Sequence, residues 1–287
     1  KAQESVAKEK PRIERLQWWN AVQAKVPGFS AGKVYHFHPV GLAGNLGKRR
    51  HPIIQIDGNS VELEFLEMYV GGDLSDADIE AAAKELGCEP SLIYAIARQE
   101  SAHSSFISVD GETIPSILYE RHWFRKLTKN ASYEQTHSEI CGPAYRRARK
   151  NSSGKFIDVK TGAEVDAKDV YGSSGKPQYE RLMTAYGLNE AAALQACSWG
   201  KFQIMGFNYA AAGYGSVKDF TAAMSLGDAE HIKAFLKFAK SNSTLLNGLR
   251  SKNYELIAEG HNGSGWRSIN PEYARNIERF SNEYSKK

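Results

Sequence analysis

A mainly α-helical domain over residues 73–287, with a small β element inside it and a small α+β region over residues 1–72 before it, is the fold class that this sequence predicts. Three observations carry it. Apolar residues recur at helical spacing between Ser75 and Glu100 and again from Gln178 towards the end of the chain. Alternating, β-rich runs are concentrated before residue 70. Gly71 and Gly72 supply a seam between the two regions.

Taken in order, the charged N-terminal stretch carrying Trp18 and Trp19 reads as a helix that Pro27 and Gly28 stop. VYHFHPV, from Val34 to Val40, alternates as a strand does, and a basic loop follows it. Ile53 to Ile56 and Val61 to Phe65 read as a hairpin with the four-residue connection Asp57 to Ser60. Ser75 and Asp78 have capping-box spacing, Ile79, Ala82, Ala83 and Leu86 form an apolar stripe, and Gly87 suits a helix stop. Pro90 fits the first turn of a second helix that ends near Glu100. Residues 101–118 read as a loop or short hairpin, with Glu120 just beyond. The stretch 130–176 reads as long exposed loops with a small hairpin around Phe156 to Val165. Helical patterns then resume in YERLMTAYGL, in NEAAALQACS, and near 216–226, 228–240, 242–250 and 271–285. No internal repeat is evident.

Bulk composition narrows the function classes. Hydrophobic residues at 41% and charged residues at 24% describe a globular chain rather than a disordered one. No apolar run approaches the ~18 residues of a membrane span, and the first residues are charged. The expectation is therefore no membrane helix, and synthesis in the cytoplasm with no signal peptide in this chain. It opens on Lys1, as a processed or excised piece of something longer would. A net charge of +4 favours anionic polymers in general, but Lys and Arg are spread along the chain, which argues against nucleic acid. Cys88, Cys141 and Cys197 are too few and too widely spaced for a disulfide framework or a zinc site, and read as reduced or buried thiols.

Two carboxylates stand out. Glycoside hydrolysis needs a proton donor at the leaving oxygen and a second group that activates water or stabilises the anomeric carbon. Glu100 ends a helix, where the dipole and any burial disfavour ionisation, the state a general acid requires. Glu120 follows a turn-rich segment, so the two can face each other across a cleft. Spacing alone does not separate them from the rest of the 33 acidic residues.

Their neighbourhood does. IARQES (96–101), IPSILYERHWF (114–124), SWGKFQIMGFNY (198–209) and HNGSGW (261–266) follow one another in an order that resembles the phage endolysin N-acetylmuramidase family, from about Leu74 to the C-terminus. The resemblance implies a lysozyme-like helical fold and cleavage between N-acetylmuramic acid and N-acetylglucosamine in the peptidoglycan glycan strand. It implies that Glu100 is the general acid and Glu120, within an apolar-aromatic-Glu-Arg-His motif, the second carboxylate. The structural alternative for Glu120 is a partner for Arg121 or His122. Where the family has a glycine-rich stretch after the first glutamate, this chain has Ala102, His103, Ser104 and Ser105.

Trp199, Gln203, Asn208 and Tyr209 look like cleft lining, since sugar sites combine aromatic faces with amides; Trp199 has a core position as its alternative. Gly200 and Gly206 suit a close backbone approach. Asn262 and Gly263 fall in a turn that borders the family's cleft, His261 stands where the family usually has tyrosine, and Tyr273 is a further substrate-binding candidate. No cofactor and no metal are expected. Wall-degrading effectors of bacterial secretion systems carry similar domains, and VYHFHPVGLAGNL resembles that company. An immunity protein or a secretion-apparatus component would then be partners, and the site of action the periplasm or the wall.

Three competing readings use other residues. Cys197 with His261 and Asn262 would make a cysteine peptidase or amidase acting on the wall peptide. His36, His38 and His51 would make a metal site. A wall-binding module without catalysis would need the basic charge and exposed aromatics alone.

Overall fold

The computed structural model describes residues 51–100, 104–143, 148–151, 153, 155–158, 161–165 and 172–286, all within a compact unit that runs Arg50–Lys287. The helix expected around Trp18 and Trp19, the strand Val34 to Val40, and His36 and His38 lie outside the described residues.

Strands β1 (Ile53–Ile56) and β2 (Asn59–Glu62) pair antiparallel, with Ile56 opposite Asn59. The connection is two residues, not four. Asp57 at φ 50° and Gly58 at φ 77° both take the left-handed conformation, whose twist matches that of the paired strands and lets pairing continue up to the turn. Ile54, Leu63, Phe65 and Leu66 are buried in the same core as the helices that follow. The Gly71–Gly72 step is consequently no seam. The Val70 N–H donates to Leu226 O at 3.0 Å and the Asp228 N–H to Gly72 O at 3.3 Å, so this stretch is laced to the interior of the unit.

The first two helices form as their sequences dictate. In α1 (Asp76–Leu86) the capping box between Ser75 and Asp78 closes, and Gly87 stops the helix at φ 71°. Leu92, Ile93 and Ile96 of α2 (Pro90–Glu100) are fully buried. A second hairpin, β3 (Phe106–Val109) and β4 (Glu112–Pro115), turns through Asp110 and Gly111, again with both residues at positive φ.

Strand β5 (Ile117–Tyr119) then leads to α3 (Arg121–Thr128) and α4 (Ala131–Thr136). A small three-stranded sheet, β6 (Ala148–Lys150), β7 (Phe156–Asp158) and β8 (Glu164–Val165), includes the hairpin expected around Phe156. Next come α5 (Lys176–Leu188) and α6 (Glu190–Gln195).

The helix expected over NEAAALQACS stops at Gln195, and Cys197–Trp199 is strand β9. It is the middle strand of a sheet, with Tyr119 of β5 opposite Cys197 on one side and Ile204 of β10 (Ile204–Met205) opposite Trp199 on the other. Three apolar-rich residues satisfy either period, and the partners in β5, about eighty residues earlier, and in β10, just beyond the turn, decide between them.

The remaining helices are α7 (Val217–Leu226), α8 (Asp228–Ser241), α9 (Ser243–Ser251), α10 (Tyr254–Asn262), α11 (Trp266–Ile269) and α12 (Tyr273–Tyr284). The sequence patterns did not mark α10, although Asn253 caps it by accepting from the N–H groups of Glu255 and Leu256. Helix α12 packs along α2, and α9 packs along α10. The second pair is close enough that a Cβ on Gly260 would lie 2.4 Å from Leu245 N.

Gly260→Ala should therefore force α9 and α10 apart. The expected cost is about 1–3 kcal/mol, read as a lower midpoint in thermal or urea unfolding; an unchanged midpoint would show that the pair yields freely.

Candidate active site

Glu100 is the last residue of α2, and 14% of its side chain is exposed. The Tyr273 hydroxyl, at the start of α12, donates to its Oε1. His261 Nδ1, near the end of α10, stands 3.4 Å from the same oxygen with only 5% of its side chain exposed. Asn262 hydrogen-bonds Tyr273 in turn, and its own Nδ2 is 3.5 Å from Ala258 O. Burial, and then the charge of Glu100, push the Tyr273 phenol well above its usual range, so it acts as a neutral donor. Three helices thus bring together Glu100, Tyr273 and Asn262, all singled out in the sequence. His261 joins them as a direct neighbour of the carboxyl, a role the sequence did not disclose.

Glu120 lies where β5 passes into α3, and its N–H donates to Ala196 O at 3.0 Å, just ahead of β9. Its side chain keeps 20% exposure, and burial pushes the carboxyl up to about 7. His122 Nε2 is 3.5 Å away, but burial and then the Lys126 charge lower that imidazole and so weaken it as a cationic counterweight. Trp123 of α3 meets Phe207 at 4.4 Å between ring centroids, which packs the helix that Glu120 opens against the short 3₁₀ turn Gly206–Asn208. Asn208 and Tyr209 sit there half-buried.

Two candidates from SWGKFQIMG have structural employment instead. Trp199 is fully buried, its indole N–H donates to Leu194 O at 3.1 Å, and its ring meets Phe65 edge-on, so it is core and not cleft lining. Gln203, at φ 45°, accepts from the Ser198 hydroxyl at 2.6 Å and donates to Gly200 O at 2.8 Å and Ser116 O at 3.4 Å. Its amide pins the turn between β9 and β10 against the strand that leads to Glu120.

The alternative sites separate on the same grounds. Cys197 is fully buried with its thiol 3.6 Å from Ala193 O, and burial, then the charge of Glu120, hold it well above the usual thiol range. His261 and Asn262 belong to Glu100, not to Cys197. His51 Nδ1 is 2.6 Å from Leu66 O. An open hollow of about 440 Å³, lined by Asp57, Glu139, Glu180 and Arg181 among others, includes neither Glu100 nor Glu120.

The sequence reading missed a buried charge group behind the site. Asp228, with 3% of its side chain exposed, is 3.0 Å from Lys201 Nζ and 3.2 Å from His231 Nδ1, and accepts from the Leu74 N–H at 3.2 Å. Ser105, close after Glu100, hydrogen-bonds it too. Burial by itself would raise this carboxyl, but His231, Lys201 and Ser105 outweigh that and hold it well below the usual range. Gly200, at φ 65°, is glycine for a related reason: a Cβ there would lie 2.5 Å from the His231 ring. The spacing of Asp228 and His231, one helical turn apart, was the available signal.

A helix that ends on one carboxylate, a hairpin after it, and a second carboxylate at the end of the next strand make the plan of a lysozyme-like glycoside hydrolase. The chain belongs to the N-acetylmuramidase family, whose profile matches residues 89–285. It is similar to the crystal structure of Burkholderia AP3 phage endolysin, at 30% identity over 74% of this chain and 71% of that one, with a TM-score of 0.57. A search of curated proteins finds no match. The fold class read from the sequence stands, and the protein is a peptidoglycan hydrolase of the muramidase type, acting on the cell wall.

Replacing Asp228 with asparagine leaves the half-buried Lys201 without its counterion, and at pH 7 should cost about 3 kcal/mol in urea unfolding. Because the native carboxyl is held below its unfolded value, this stabilisation is complete above about pH 4 and fades as pH falls further. The gap between the variant and the native protein should therefore narrow at pH 3; a gap that stays constant would mean that the Asp228 charge is not its source.

Proposed function

We propose that Glu100 protonates the glycosidic oxygen between N-acetylmuramic acid and N-acetylglucosamine, while Glu120 activates water or stabilises the oxocarbenium ion. The observation that supports Glu100 most directly is its carboxyl at the end of α2, largely buried, with Oε1 held by Tyr273 from a separate helix. A proton donor must present one fixed oxygen to the leaving group, and a carboxyl gripped on the other oxygen does so. Asn208 and Tyr209, half-buried at the turn whose Phe207 meets Trp123 of α3, are the proposed contacts to the sugar on that side, with Asn262 on the other; Tyr273 is buried with its hydroxyl given to Glu100 and is no sugar contact.

One observation favours a second reading with the roles exchanged. Burial lifts Glu120 to about 7, and a carboxyl that stays protonated near neutrality is suited to be the acid. Under either reading a limb of the activity profile near pH 7 belongs to Glu120, and the leaving-group dependence of the two glutamine variants decides which role it plays.

In the same proposal, the part of the chain before Arg50 serves delivery. Its VYHFHPVGLAGNL segment resembles that of wall-degrading secretion effectors, which implies a secretion-apparatus contact, an immunity protein over the cleft, and antimicrobial action in the periplasm.

Glu100→Gln should slow reducing-end release from purified peptidoglycan by at least ~100-fold while the protein stays folded. On an aryl glycoside whose leaving group needs no proton, the loss should be much smaller for Glu100→Gln than for Glu120→Gln. The opposite pattern exchanges the two roles, and full activity in both variants removes both residues from the reaction. A native protein that binds the wall and releases no reducing ends would be a binding module.

The pH limb near 7 should disappear in Glu120→Gln. The same variant gives a test independent of catalysis. A carboxyl raised in the folded state favours folding below its unfolded value and loses that advantage as pH rises through about 7, so native stability should decline across this window and the variant's should not.

A further inference from the structure

Both contacts to the Glu100 carboxyl end on one oxygen. Tyr273 donates to Oε1, and His261 Nδ1 stands 3.4 Å from it, while no hydrogen bond or ion pair from a described residue reaches Oε2. The imidazole has little freedom to face elsewhere. Phe238 of α8 meets its ring edge-on at 6.3 Å and Tyr273 lies nearly parallel to it at 6.2 Å. Its other nitrogen, Nε2, is buried without a partner. Glu100 from α2 and Tyr273 from α12 are the titratable groups that face it among the described residues; α8 presents Phe238, and α9 meets α10 through Leu245.

We propose that His261 is a positioning residue for Glu100: with Tyr273 it directs a second donor at Oε1, so that the proton to be transferred is carried on Oε2. The inference rests on Glu100 being the general acid. A protonated carboxyl has one carbonyl oxygen, able to accept two hydrogen bonds, and one hydroxyl oxygen. Two donors facing Oε1 make it the carbonyl and leave Oε2 to hold the proton.

The unpartnered Nε2 bears on the imidazole's state. An N–H there would be a buried donor without an acceptor, whereas a bare lone pair costs less, so the form with its proton on Nδ1 suits the site. At 3.4 Å the contact is long for a hydrogen bond, a separation that shortens in many active sites when substrate closes them.

The step balances within the carboxyl and the glycosidic bond. The proton leaves Oε2 for the glycosidic oxygen as the bond from that oxygen to the anomeric carbon breaks, and the bonding pair stays with the leaving oxygen. Glu100 is left as a carboxylate. Donors at Oε1 bind that carboxylate more strongly than the acid, so they lower the barrier to giving up the proton.

The test is the pH dependence of kcat and KM on soluble peptidoglycan glycan fragments for His261→Leu and His261→Asn. The leucine removes the N–H, and the asparagine amide can restore a donor near the Nδ1 position. In His261→Leu, kcat should fall about tenfold with KM unchanged within about twofold, and the alkaline limb of kcat should move up by about half to one pH unit, since a carboxyl that loses a donor holds its proton longer. His261→Asn should return the limb towards its native place.

A purely structural histidine would lower activity or stability and leave the limb where it is, and that result overturns the proposal. If the leucine variant does not fold, His261→Met, also without an N–H, takes its place with the same expectation. Glu100→Gln run alongside separates the two claims. If it is inactive and the limb does not move, only the role of His261 fails; if it keeps full activity, Glu100 is not the acid and both fail.

Discussion

The buried carboxylate of Asp228 is the interaction on which the arrangement around the active site depends. It stands at the start of α8 and is reached by Lys201 from the turn after β9, by the Leu74 N–H ahead of α1, and by Ser105 beyond Glu100. These segments are remote in sequence. A charge with 3% of its side chain exposed is tolerable only while every partner is in place, so loosening any one of them exposes the cost of the rest. His231 extends the group, its Nε2 donating to Met224 O at 2.7 Å while Nδ1 faces both Asp228 and the Lys201 N–H. The Gly200 backbone can approach that ring because it has no side chain.

From that anchor the two glutamates acquire different surroundings. Ser116, between β4 and β5, donates from its N–H to Ser105 O and accepts from the Gly200 and Gln203 side of the turn, so the chain between Glu100 and Glu120 is tied at its middle. Glu100 emerges where three helices meet and finds donors aimed at one oxygen. Glu120 emerges at the end of a strand whose neighbour is buried, and finds desolvation with a weak histidine partner. One surrounding directs a proton and the other withholds ionisation. A pair of carboxyls with unlike environments is what divided roles in glycoside hydrolysis require.

The local signals in the sequence were legible wherever a residue's own chemistry decides its conformation. Ser75 with Asp78 and Gly87 bounded α1, Pro90 opened α2, and apolar spacing located most of the later helices. Where the reading failed at β9 and Trp199, contacts beyond the local sequence decided; at the first hairpin the left-handed Asp57–Gly58 pair did. Cys197 to Trp199 extended helical spacing but pairs with β5 and β10. Trp199 looked like sugar-binding lining but fills the core against Phe65. Asp57 and Gly58 close the first hairpin more tightly than apolar patterning alone indicates.

The sequence by itself determined the helical class, the order of the motifs and which two glutamates to consider, because periodicity, caps and motif residues act over a few positions of chain. Only the tertiary structure decided that His261 and Tyr273 meet on Oε1 of Glu100, that burial lifts Glu120, and that Asp228 ties three separated segments to its own helix. Desolvation and hydrogen-bond direction depend on which surfaces come together, and those surfaces are contributed by residues tens to more than a hundred positions apart.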